Sequence, residues 1–469
     1  MARDLKHRAK GALGLAVAAA LLVFVGAAVV RIAAQFGVYD LTRDAGFADH
    51  HLPPPDPRSE AEMEVLRVFP AGAVALQPLI DATPAGGTLR LAAGIYAAPG
   101  IIARPMRIEG VAGAVVDGGG IGSILTVEAE DVAISGLTLR NSGDRHETTD
   151  SAVRVRSRHG SYKDNVIENC LFGFDLRQAD RNIIRRNVIG SKDLPEALRG
   201  DALRIWYSNA NRVEDNDIVR SRDAVIWYSK ENVVSGNRFR DSRYGIHLMY
   251  AHANVLERND FLANTVGIFL MYANDNVVRD NIINYSLGPS GIGIGFKESS
   301  NTMVENNDLF ANARGVFLDA SPYDPEGHNT FRKNRIAYNG VAVAFHSDWT
   351  GNSFTHNAFL GNHAQVSVHG SGSANRNVWA GNRWDAYQGF DRDTDGVGDT
   401  PFEVWSWADR LWMDVPDVQF FRAAPSLEMI DFIERLGAFS QPRLIMRDAR
   451  PTLNPDATIG ARAQQGGRS

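Results

Sequence analysis

From about Thr88 onward the chain alternates apolar and polar residues in short runs, each closed by Gly, Asn or Asp, beginning with Thr-Leu-Arg-Leu at 88–91. A two-residue period sends alternate side chains to opposite faces of a strand. An asparagine recurs through these runs at Asn165, Asn187, Asn216, Asn237, Asn259, Asn281, Asn307, Asn334 and Asn357, at intervals of 22, 29, 21, 22, 22, 26, 27 and 23 residues. Leu194 to Gly200 and Pro322 to His328 read as loop insertions that lengthen two of these intervals. Such a period is too short for two packed helices, and the leucine framework of a leucine-rich repeat is absent. The pattern predicts an all-β, right-handed parallel β-helix, with coils of three short strands stacked about 4.8 Å apart. Asparagine suits the recurrent bend because it tolerates left-handed backbone angles and because stacked amides form a hydrogen-bonded ladder.

Outside the repeat the pattern changes. Residues 1–34 combine Arg3, Lys6, Arg8 and Lys10 with an apolar run from Ala12 to Val30. Those residues, as a helix, span roughly 28 Å, about a bilayer's hydrocarbon thickness. The basic flank would stay cytoplasmic and the rest would lie outside, probing two readings: a membrane anchor, or a cleaved signal peptide with Gly26, Ala27 and Ala28 near the cut. Residues 35–70, with His51-Leu-Pro-Pro-Pro-Asp-Pro57, read as a linker. The β-helix is expected over 71–385. Ala73 to Ala82, with Val74, Leu76, Leu79 and Ile80, would form a helix covering its first coil. Residues 386–455 read as an acidic turn and C-terminal cap, in which Trp405, Trp407, Trp412, Phe420 and Phe421 close the last coil and dock to a membrane partner. Residues 456–469 read as a disordered tail.

Composition narrows the chemistry. A net charge of -6 offers no broad basic surface for nucleic acid. A single cysteine, Cys170, excludes an internal disulfide and thiolate clusters. Any copper must therefore be held by His, Met or carboxylate.

Aligned on the asparagines, Ile205-Trp-Tyr207, Ile226-Trp-Tyr228, Leu248-Met-Tyr250 and Leu270-Met-Tyr272 superimpose. Alternation puts Ile246, Leu248, Ile268 and Leu270 inside, and His247, Met249, Phe269 and Met271 outside. The expectation is an exposed stripe of Trp206, Trp227, Met249 and Met271, with His247 and Phe269 beside it. Three readings stand: a partner-binding surface, cover for a loop or tail, or a soft Cu(I) contact by His247, Met249 and Met271. His346 and His369, one coil apart, form a second, weaker metal candidate whose rings would stack outside.

Asp391-Arg-Asp393-Thr-Asp395-Gly-Val-Gly-Asp399 spaces its carboxylates as the first half of a calcium loop does, although Phe402 stands where a closing glutamate would be. Bound calcium and a solvated Asp-Gly turn are the alternatives. A polysaccharide lyase or uronate epimerase would need a base, an acid and a cationic neutraliser in one groove. The sequence suggests no dense group of that kind on one outward face. Asp223, Asp319 and Arg243 are the outward charges to test, with solvation as their ordinary role.

Tyr244-Gly-Ile-His-Leu-Met-Tyr250, repeated as Val266-Gly-Ile-Phe-Leu-Met-Tyr272, resembles NosD, the periplasmic β-helix family of nitrous oxide reductase maturation. The similarity continues through Gly291 to Lys297, Arg314 to Asp319, Asn382-Arg-Trp384, the Asp391 to Pro401 turn and a helical tail around Ser426 to Leu436. It covers roughly residues 85 to 455. The resemblance implies a non-catalytic partner of an ABC transporter built from the ATPase NosF and the membrane subunit NosY. It also implies help in assembling the copper-sulfide site of nitrous oxide reductase, with a copper chaperone nearby.

Overall fold

A computed structural model describes residues 68–370, 372–406, 429 and 443–453. The 12–30 apolar run, most of the linker, all but residue 429 of the 426–436 segment, Trp407, Trp412, Phe420, Phe421 and the tail lie outside the described residues. Among the described residues no helix is long and apolar enough to cross a membrane.

The strands form a parallel β-helix with three faces, sheets of 14, 12 and 13 strands in which each strand lies between its counterparts one coil earlier and one later. Strands of the 14- and 13-stranded sheets are mostly three or four residues long, whereas those of the 12-stranded sheet reach six, as in Tyr244–Met249, Val266–Met271 and Ile292–Lys297. Inside the column, equivalent residues stack on one another. Phe239 lies on Phe261 at 4.9 Å, Phe354 on Trp379 at 4.2 Å and Phe359 on Trp384 at 4.1 Å between ring centroids. Ile246, Leu248, Ile268 and Leu270 are all inward and buried, as alternation requires.

The asparagine ladder is continuous. In each rung the backbone N–H and side-chain Nδ2 donate to the Oδ1 of the asparagine one coil on, as from Asn187 to Asn216 and from Asn281 to Asn307. It extends past Asn357 to Asn382 and ends on Asp448, whose buried carboxylate accepts from Asn382 N and Nδ2 and from Trp384 Nε1. The expected left-handed asparagine is corrected here. The positive φ falls on the residue before it, for example Arg186, Asp215, Arg258, Asp280 and Lys333. That residue turns the chain, which leaves the asparagine free to aim its amide into the ladder.

Both ends of the column are covered. Val74–Ala75 pairs as a strand with Tyr96 and Ala97, so the cap helix begins only at Leu76 and Val74 is exposed rather than packed. The helix Leu76–Ala82 buries Leu76 and Ile80. Arg104 caps its end, donating from Nη2 to Ile80 O at 2.7 Å and Asp81 O at 2.6 Å and from Nε to Thr83 O at 2.8 Å, which helps satisfy the carbonyls of the last turn. At the other end Phe402–Ser406 and Arg443–Asp448 form an antiparallel pair. Phe402, the residue at the calcium-loop closing position, instead stacks on Trp384 at 4.6 Å and continues the aromatic core.

Candidate functional site

The long strands of the 12-stranded sheet carry more than one outward column. Register aligns Arg177, Trp206, Trp227, Met249, Met271, Lys297 and Asp319 in one. A second, two residues earlier in each strand, runs Arg154, Asp175, Arg204, Val225, His247, Phe269, Gly295 and Phe317. Trp206, Trp227, Met249 and Met271 are half-buried.

His247 and Phe269 point outward yet are not exposed, at 7% and 9% of their surface, which corrects the expected open stripe. The cover is local. Tyr244 folds over its own strand and stacks on His247 at 4.6 Å, with Arg243 over the Tyr244 ring at 5.0 Å, and Phe269 meets His247 edge-on at 5.7 Å. Phe269 sits where Gly295 has no side chain, since a Cβ there would lie 2.4 Å from its ring. Val266, Phe269 and Ile292 thus form a small apolar cluster outside the column, joined by Tyr244, Met271 and Phe317.

Burial holds the His247 imidazole neutral, down to about 4 from its ordinary 6.5, with Asp223 opposing and Arg243 adding to the shift. Two polar atoms on this face, His247 Nε2 and Trp227 Nε1, are buried with no hydrogen-bond partner among the described residues. Native interiors leave few such atoms unpaired. Met249 and Met271 are register neighbours and His247 lies in the adjacent column; imidazole nitrogen and thioether sulfur are ligand types that suit Cu(I).

Alongside the stripe runs a feature the sequence reading passed over, although the aligned triplets contained it. Tyr207, Tyr228, Tyr250 and Tyr272 each occupy a left-handed turn position directly after the strand. Their rings stack at 5.0, 5.0 and 4.7 Å, within 13° of parallel.

His346 and His369 stack on the outer surface with ring centroids 5.7 Å apart. Along the sheet they follow Lys297 and Asp319, so three coil steps, roughly 14 Å, separate His346 from Met271 and the two metal candidates stay apart. Asp391, Asp393 and Asp395 bring one carboxylate oxygen each within 4.8 Å of one another. Asp399 is not in that group, and its Oδ2 accepts from the Arg392 N–H at 2.9 Å. The three clustered carboxylates also accept backbone N–H groups of their own turn, from Asp395, Gly396 and Val397. Cys170 is buried, and burial pushes its thiol up to about 12, so it supplies no thiolate.

The expectation that the outward acids and arginines are scattered and solvated is corrected on the 12-stranded sheet. Asp223 is buried, not solvated, and Arg243 grips it through Nε at 2.9 Å and through Nη2. Asp201, also buried, accepts from Arg222 Nε at 3.1 Å. Asp175, fully buried, lies among Arg154, Arg156 and Arg177. Asp319 remains partly exposed at the far end of the stripe column. Asp201 with Arg222, Asp223 with Arg243, and Asp175 with Arg154 and Arg156 are about 20 residues apart in sequence and meet only through the register of stacked coils, whereas Arg177 shares a strand with Asp175.

With this geometry in view, comparison with known proteins is informative. Residues 189–389 match a family model described as "Periplasmic copper-binding protein (NosD)". A Pseudomonas aeruginosa protein named "Probable ABC transporter binding protein NosD" is 32% identical over 408 residues, 79% of this chain and 89% of the relative. A Stutzerimonas stutzeri protein of the same name is 28% identical over 432 residues, 81% and 90% of the two chains. Among solved structures, the A-module of the Azotobacter vinelandii mannuronan C-5 epimerase AlgE6 aligns with a TM-score of 0.45 at 18% identity, covering 65% of this chain and 92% of that one. A PL6 alginate lyase aligns with a TM-score of 0.40 at 16% identity, covering 66% and 84%. Alignments that loose say nothing about shared chemistry. The sequence similarity, 32% identity over 79% of this chain, is of a different order, and by it the chain belongs to the NosD family.

Proposed function

We propose that this chain is a periplasmic accessory of an ABC transporter that serves maturation of the copper-sulfide site of nitrous oxide reductase, as a docking scaffold without catalysis of its own. The observation that carries the reading is the apolar cluster built outside the column, flanked by the half-buried Trp206, Trp227, Met249 and Met271 and by the orphaned Trp227 Nε1 and His247 Nε2. Apolar side chains in a continuous outward column mark a contact surface. The names of the relatives support a transporter partner, here taken as the NosF ATPase with the membrane subunit NosY. The family description supports copper as cargo, received from a copper chaperone and met by His247, Met249 and Met271. An N-terminal anchor would keep the column at the membrane where the transporter sits.

The test is the double variant Met249→Ser, Met271→Ser. Both side chains are only half-buried, so the unfolding free energy should fall by about 2 kcal/mol. Capture of the transporter and the copper content of nitrous oxide reductase should both drop sharply. Normal copper loading by the folded double variant would sink the docking reading.

A second reading has an observation in its favour: Asp223, Arg243, Tyr244 and His247 share one outward face. These are residue types that a uronate lyase or epimerase uses. One fact weighs against it: the carboxylate and the guanidinium are bound to each other. Turnover of a uronate polymer by the purified chain would reverse the order of the two readings.

A further inference from the structure

The coils before Trp206 present a different surface. Arg154, Asp175 and Arg204 are register neighbours on three successive coils, and Arg177 stands two residues beyond Asp175 on the same outer face. Arg156 directly follows the strand Ser151–Val155. Three guanidinium groups therefore meet one carboxylate, and Arg204 joins them through Thr149. Arg177 Nε is 3.1 Å from Asp175 Oδ2, Arg156 Nη1 3.7 Å and Arg154 Nε 4.0 Å. In the next coils each acid has its own arginine, Asp201 with Arg222 and Asp223 with Arg243, and only Asp201 also faces a member of the cluster, Arg204. Three arginines against Asp175 leave two uncompensated positive charges beside Arg204, in a chain whose net charge is -6.

The cluster is braced rather than loose. Thr149 Oγ1, itself buried, accepts from Arg177 Nη2 at 2.6 Å and from Arg204 Nη1 at 3.3 Å. Arg154 Nη2 donates to the backbone carbonyls of Thr148 and Thr149. Arg154 Nε and Arg156 Nη1 are buried without an acceptor at hydrogen-bond distance. Yet the side chains of Arg154, Arg156 and Arg177 keep 24%, 32% and 27% of their surface open, so a ligand can reach them from outside. Burial lowers the Arg156 pKa, Asp175 opposes that, and Arg177, Arg154 and Arg204 lower it further. Repulsion of this kind is relieved by an added anion.

We propose that this outward guanidinium cluster is an oxyanion site, taking a dianion of the sulfate or phosphate type against Arg154, Arg156, Arg177 and Arg204. Guanidinium groups braced in different orientations suit several oxygens on one small centre. A dianion also offsets more of the surplus than a single carboxylate does. The site adjoins the first residue of the docking stripe without including it: Arg177 is the register neighbour of Trp206 and its guanidinium lies over that ring at 5.9 Å.

Calorimetric titration of the full chain, kept in a mild non-ionic detergent, tests this. Inorganic sulfate and inorganic phosphate are compared with acetate and with sodium chloride at matched ionic strength. Saturable one-to-one binding of sulfate or phosphate, at least tenfold weaker in Arg156→Gln and unchanged in Arg240→Gln on the 14-stranded sheet, is the expected result. If Arg156→Gln misfolds, as its circular dichroism melt would reveal, Arg204→Gln replaces it with the same expectation. Absence of saturable heat with either dianion, acetate binding as tightly as sulfate, or undiminished binding in the folded arginine variant would each overturn the proposal.

Discussion

The outer faces of two sheets in this column follow different rules, although their inner faces obey the same one. On the 14-stranded sheet, outward positions of successive coils pair opposite charges: Asp217 with Arg240 and Arg238, Asp308 with Arg335. On the 12-stranded sheet the outward columns pass from arginine and aspartate through Trp, Met and Phe, and then back to charge at Lys297 and Asp319. Strand length separates them. A three-residue strand such as Arg238–Arg240 has one inward residue, Phe239, and two flanking outward ones that reach only water or the next coil. A six-residue strand such as Tyr244–Met249 holds several outward side chains close enough to fold over each other, and Tyr244 covers His247 in this way. A solenoid can thus keep its interior uniform while one face acquires a second, external layer of packing.

The comparison can be broken most severely from the shared inside. Asn281→Ala removes the donors to Leu256 O and Asn307 Oδ1, and also the acceptor for Asn259 N and Nδ2. The expected loss is about 3 kcal/mol in urea unfolding, since buried partners are left unsatisfied. A loss under about 1 kcal/mol would mean that the ladder is not the common framework.

Next in size is a pH effect confined to the special face. Folded His247 stays neutral down to about pH 4, whereas in the unfolded chain it takes a proton near 6.5. The unfolded state therefore binds more protons between those values, and stability falls as pH drops through that window. Above it the effect is absent. Between pH 7.5 and 5 the wild type should lose about 2 kcal/mol more than His247→Leu. Parallel stability curves for the two proteins would show that the imidazole is not held neutral.

Smallest is the change on the ordinary face. Arg335→Gln cuts the Asp308 pair at 2.7 Å on the surface of the 14-stranded sheet. It should move stability by no more than about 0.5 kcal/mol, less at high salt. A larger loss would place surface pairing among the main supports of the column.

Much of the fold was legible because its signals are local and repeated. The asparagine spacing, the inward Ile246, Leu248, Ile268 and Leu270, and the stacked triplets all follow from a two-residue period inside a coil of about 22. The candidate site was legible only in part. Met249 and Met271 were placed in register, but the cover over His247 was not, because it depends on how Tyr244 and Phe269 fold across the strand. The arginine cluster was missed because its members are scattered in sequence, and no motif links Arg154 to Arg204.

Sequence alone determined the repeat, the set of inward residues and the similarity to a known family, since each depends on spacing along the chain. Tertiary structure decided which outward residues become neighbours. That depends on the register between coils and on the loop insertions that lengthen some of them. It also decided which of those neighbours are hidden from water, because an outward direction on a strand does not exclude burial once a neighbouring side chain lies across it.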